Sequence, residues 1–92
     1  MPEVRGKSLK AIIRDIAEGY VAVNPLFLKS FERETLRDFY LEISKVQSEI
    51  RAEKFPTRDV LAIRSRNLKL QRLFAATMII RNFARERRVS LA

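Results

Sequence analysis

Leu36-Arg37-Asp38-Phe39-Tyr40-Leu41-Glu42-Ile43-Ser44-Lys45-Val46-Gln47-Ser48-Glu49-Ile50 is the stretch on which the fold turns. Its apolar residues Leu36, Phe39, Ile43, Val46 and Ile50 recur in steps of three and four, the spacing that lines up one stripe of an α-helix. Charged and polar residues fill most of the other positions. The helix is expected to run from Ser30 to Lys54, with Glu32 and Glu34 favourably placed near the positive end of its macrodipole.

After it, Phe55-Pro56-Thr57 reads as a hairpin, and Thr57 as the cap of a further helix extending to about Arg88, roughly 45 Å long. Asp59 falls in the first turn of that helix, where a carboxylate is stabilising. Val60, Ile63, Asn67, Leu70 and Phe74 form a second seam that matches the first, so the two long helices should pack antiparallel. Upstream, Ser8 is a fair N-cap for a helix over Lys7–Val21, whose apolar face is Leu9, Ile12, Ile13, Ile16, Ala17 and Tyr20. Asn24-Pro25 stops it and can open the next helix, with asparagine as N-cap and proline at the first helical position. Only two glycines and three prolines punctuate the chain, too few for the frequent turns of a β protein. The expected fold is all-α: two long antiparallel helices forming a hairpin plus an N-terminal helix, a three- to four-helix bundle making a single domain over residues 1–92.

Two features depart from a plain amphipathic hairpin. Asn67 stands in the seam where an apolar residue is expected. It either fixes register or oligomeric state, or lies near the hairpin end and touches water. Leu73-Phe74-Ala75-Ala76-Thr77-Met78-Ile79-Ile80 is apolar nearly all round, as in a helix buried on every side. Either the first helix and the Pro25–Phe31 segment wrap it, or it forms an oligomer interface, for which Phe74, Met78, Ile79 and Phe83 are the candidate residues.

Composition excludes most chemistry. The chain has neither cysteine nor histidine, which removes disulfides, thiolate ligands, Ser-His and Cys-His nucleophile pairs, and the commonest metal ligand. No glycine-rich loop exists to cradle a phosphate. Asp38 with Glu42, and Glu49 with Glu53, lie one turn apart, but a di-metal bundle would also want Glu-x-x-His partners. Lys45 and Arg51 stand close enough in sequence to pair with these acids, so a solvated, ion-paired face is the better reading. No catalytic residue, metal site or cofactor is expected. No apolar run approaches the roughly 20 residues of a membrane span, so the expected location is cytoplasmic, nucleoid-associated if the partner is DNA, with no membrane partner.

Charge is the remaining signal. Nineteen Lys and Arg face eleven Asp and Glu, a net +8. Residues 1–57 are nearly balanced, whereas residues 58–92 carry nine basic and two acidic groups, and eight of those nine are arginine. On a helical wheel Arg58, Ser65, Lys69 and Arg72 share a narrow sector with Arg66 at its margin, and Arg81, Arg85, Arg87 and Arg88 extend the charge to the end of the chain. Part of this complements the helix dipole, but the excess suits phosphate or carboxylate recognition through the planar guanidinium fork. Arg58, Arg66, Lys69, Arg72, Arg81, Arg85, Arg87 and Arg88 are the candidate nucleic-acid-binding residues. With no base-reading motif beside them, binding to DNA or RNA should be sequence-tolerant. The alternative partner is an acidic protein surface, in a structural module that assembles as a homodimer or larger oligomer.

Thr35-Leu36-Arg37-Asp38-Phe39-Tyr40, opening a long helix that ends in Glu49-Ile50-Arg51, is similar to the helical domain of GINS subunits. There too a second long helix follows with a basic-apolar pattern, as in Ile63-Arg64-Ser65-Arg66-Asn67-Leu68-Lys69-Leu70-Gln71-Arg72-Leu73. The resemblance implies a non-enzymatic scaffold of a replicative helicase that assembles as a tetramer and contacts MCM and a RecJ-like factor. GINS subunits also carry a small β-rich domain without counterpart in these residues, so it implies an isolated helical domain or a reduced relative.

Overall fold

The computed structural model describes residues 3–4, 7–53 and 58–91. A small antiparallel ladder, β1 (Glu3–Val4) against β2 (Lys7–Ser8), pairs Glu3 with Ser8 and Val4 with Lys7. Four helices follow: α1 (Leu9–Glu18), α2 (Pro25–Leu28), α3 (Arg33–Ala52) and α4 (Val60–Glu86). The all-α bundle expected from the sequence is the fold observed.

Side chains set most of the helix starts. Ser8 caps α1 by accepting from the Ala11 N–H at 3.2 Å. Asn24 caps α2 through Oδ1 and the Phe27 N–H at 2.8 Å, with Pro25 at the first helical position, as proline's missing N–H permits. The Asp59 carboxylate caps α4, accepting from the Ala62 N–H at 2.9 Å, a role assigned above to Thr57. Thr57 and the Phe55-Pro56-Thr57 hairpin lie outside the described residues. α3 begins later than expected: Glu32, not Ser30, is its N-cap, and no side chain bonds the first turn.

α1 closes three residues before the expected Val21. Gly19 adopts φ +85, with its N–H to the Ile16 carbonyl and the Tyr20 N–H to the Asp15 carbonyl. This left-handed closure favours glycine, and it turns Tyr20 outward, 79% exposed. Tyr20 is therefore no part of the apolar face assigned to it, while Leu9, Ile12, Ile13, Ile16 and Ala17 are all buried.

The stripe of α3 is buried from Leu36 to Ile50. Phe39 is fully enclosed and meets Phe27 and Phe31 at centroid separations of 6.4 and 5.2 Å, an aromatic cluster that ties α2 to the bundle. α3 and α4 run antiparallel. Arg66 reaches the Arg51 carbonyl at one end, and Arg37 donates to the Ser90 carbonyl at 3.2 Å at the other.

α4 departs from the sequence reading in its rotation. Leu73, Ala76, Ile80, Phe83 and Ala84 face the core, packed by α1, α2 and α3, so the Leu73–Ile80 run is covered on one side only. Phe74 and Met78 on its other side remain 60% and 41% exposed. Because the helix is continuous, the orientation of this second half dictates that of the first. The expected seam is only partly packed: Val60, Asn67 and Phe74 are exposed, Ile63 is half-buried, and Leu70 is half-buried against the core. The side of the first half that faces the body holds Ala62, Arg66 and Lys69 instead.

Candidate nucleic-acid interface

The rotation of α4 divides its basic residues into two groups. In the middle of the helix, Arg72 donates through a terminal guanidinium nitrogen to the Ala17 carbonyl at 3.0 Å, at the C-terminal end of α1. Lys69 pairs with Glu18 at 3.1 Å. Helix C-termini present unsatisfied carbonyls and a partial negative charge, so these two cations neutralise the end of α1 rather than facing solvent. A Cβ built on Gly19 would stand 3.0 Å from the Arg72 guanidinium carbon; the glycine therefore admits the clamp as well as the turn. Arg66, half-buried, contacts the Arg51 carbonyl at 3.5 Å. The wheel sector that reads as a solvent-facing basic stripe is largely an inward clamp.

The second group lies at the far end. Arg81, Arg85, Arg87 and Arg88 are all exposed within eight residues, with Glu86 as the one acid among them. Arg85 is steadied by the Asn82 amide oxygen at 2.7 Å. The guanidinium of Arg87 lies over the Phe83 ring, 4.7 Å from its centroid, which orients it without neutralising it. Among the described residues, none of the four is ion-paired to a carboxylate. Exposed Arg33 and half-buried Arg37, on the first turns of α3, belong to the same end of the molecule.

Arg88 has a further peculiarity that sequence reading missed. Its φ is +57. The Val89 N–H reaches the Ala84 carbonyl at 2.8 Å and the Arg88 N–H reaches Arg85 at 3.1 Å. The same left-handed closure that Gly19 gives α1 is here made by an arginine, at a cost of about 1 kcal/mol relative to glycine. The turn brings Val89 and Leu91 back against the core and leaves the Arg88 side chain exposed.

The chain matches no protein-family model, no curated protein and no solved structure. The GINS resemblance thus rests on the quoted residues alone, and the site is read from its own geometry.

Of the proposed oligomer residues, Phe74 and Met78 are exposed, but Phe83 is buried and Ile79 half-buried against the core, because they point along the α1 and α2 side of α4. Arg58 is exposed at the opposite end of α4, far from the Arg81–Arg88 cluster. Of the acids Asp38, Glu42, Glu49 and Glu53, two are ion-paired among the described residues, Glu42 with Lys45 at 3.8 Å and Glu49 with Lys10 at 3.2 Å, the latter a partner on α1 not foreseen from sequence. Among the described residues no group of three acidic side chains converges as a metal site, and no helix is long and apolar enough to cross a membrane.

Proposed function

We propose that this is a non-catalytic binding protein that engages the phosphate backbone of nucleic acid through its Arg81–Arg88 end. The observation that carries the reading is the exposure of four arginines in eight residues, one of them held at a backbone position where glycine would be more stable. Guanidinium forks bind phosphate oxygens bidentately, and the cluster includes no aromatic stacking platform or base-reading helix, so it grips the backbone without reading sequence. Lys69, Arg72 and Arg66 support the fold and do not belong to this surface.

Fluorescence anisotropy with duplex DNA, single-stranded DNA and duplex RNA at two salt concentrations tests it. Four neutralised phosphates correspond to a log–log salt slope of about −3.6 on duplex DNA. Replacing Arg81, Arg85 and Arg88 by Gln should flatten that slope and weaken all three substrates alike. If the wild-type chain binds none of them, the basic end serves an acidic protein surface instead.

A further inference from the structure

We propose that the outward face of α4 is a docking surface for a second copy of this chain, packed parallel and in register along Val60–Thr77. Of the eight large apolar side chains exposed among the described residues, five lie on α4: Val60, Leu61, Leu68, Phe74 and Met78. Two of them, Val60 and Phe74, lie on one line of the helix with Asn67, and an apolar line left uncovered along a long helix is a packing face for a partner.

The spacing identifies the partner as another α4. Val60, Ile63, Asn67, Leu70, Phe74 and Thr77 follow the alternating a and d positions of a heptad. Val60 and Phe74 are 63% and 60% exposed and Asn67 is exposed, so the a positions are open; at the d positions Ile63 and Thr77 are half-buried, and Leu70 is half-buried with part of its surface against the core. A single asparagine at an a position is the recognised device for fixing register in a parallel pair, because the two amides donate to and accept from each other. In an antiparallel pair, a faces d, and the Asn67 amide would meet leucine instead.

Charge points the same way. In the parallel pair the flanking positions bring Asp59 of one copy opposite Arg64 of the other, an attractive contact. Lys69 and Arg72 lie on the far side of the helix from the seam, turned onto α1. The next a position after Phe74 is Arg81, where two guanidiniums would meet, so the seam stops at Thr77 and the helices diverge toward their arginine ends. The seam is then about 27 Å long, a short contact at the small end of specific interfaces, so the dimer is a weak one.

Sedimentation velocity on the full chain without nucleic acid, over low- to high-micromolar loading, is the test. The mass should rise from that of one chain to that of two. Phe74→Glu should raise the dimer Kd by about 100-fold or more while leaving the circular dichroism of the monomer unchanged, since Phe74 is mostly exposed in it. Asn67→Cys introduces the sole cysteine of the chain and should oxidise to a covalent dimer. A chain that stays monomeric throughout, or a dimer indifferent to Phe74→Glu, overturns the proposal. A dimer that persists while Cys at position 67 fails to cross-link overturns the parallel register. None of these readings depends on the arginine end, so nucleic-acid affinity can fail while the dimer stands, and the reverse.

Discussion

Replacing Arg72 with Met separates the structural arginines from the binding ones. The thioether retains the aliphatic stem, so the variant loses the guanidinium and little packing. What is removed is a charge-assisted hydrogen bond to the Ala17 carbonyl at 3.0 Å, worth about 1.5–3 kcal/mol for a charged donor. A cation at the end of the α1 dipole is worth a further 0.3–1 kcal/mol or so. Arg72 is half-buried, not enclosed, so the lower end of the combined range applies, about 2 kcal/mol. For a domain of this size that lowers Tm by about 10 °C. Urea unfolding followed by circular dichroism at the helical band measures it directly, and the m-value should stay unchanged because the surface exposed on unfolding is the same. Arg81→Met, at an exposed site without an ion pair, serves as the control and should move stability by less than about 0.5 kcal/mol. If Arg72→Met also fell within that margin, the clamp on α1 would be energetically idle. If it weakened nucleic-acid binding as strongly as loss of Arg81 and Arg85, the division of the basic residues into two groups would be wrong.

Gly19→Ala should destabilise by about 1–2 kcal/mol, because φ +85 is costly for any side chain, and the new methyl would press on the Arg72 guanidinium 3.0 Å away; combining it with Arg72→Met should cost less than the sum of the two in denaturant titration. Arg88→Gly should raise stability by up to about 1 kcal/mol while reducing affinity for nucleic acid, opposite signs that thermal melts and anisotropy would read from one preparation. Ile13→Ala, at a side chain with no exposure, should cost about 2–5 kcal/mol by urea unfolding. Asn67→Leu should tighten self-association and blur it into more than one oligomeric mass, since the polar constraint on register is gone.

The parts of the fold legible in the sequence were those where one face of a helix is apolar and the other is not. α1 and α3 have that contrast, and Leu9, Ile12, Ile13, Ile16 and Ala17 in one, Leu36 to Ile50 in the other, are buried as their spacing requires. Capping was legible where the side chain was unambiguous, at Ser8 and Asn24. It failed between Thr57 and Asp59, two capping residues two positions apart with nothing local to choose between them. The left-handed turns at Gly19 and Arg88 were missed for different reasons. A lone glycine near a helix end is a weak stop signal, and an arginine gives none at all.

The candidate site went astray for one physical reason, the rotation of α4. Its sequence offers two apolar stripes, Val60–Phe74 on one side and Leu73, Ala76, Ile80, Phe83 and Ala84 on another, and a straight helix cannot turn both toward the same core. The second stripe wins. It lies opposite three elements, α1, α2 and α3, and its leucine and isoleucine become fully enclosed, which stabilises each by roughly 1.5–3 kcal/mol. The first stripe is left largely outside, with Val60, Asn67 and Phe74 exposed. Once that choice is made, Lys69 and Arg72 necessarily swing onto the C-terminus of α1, whose bare carbonyls and Glu18 would otherwise leave concentrated negative charge against the bundle. The excess basicity of the segment is thus partly a requirement of the fold, and the arginines left over, from Arg81 onward, are those that stability does not account for.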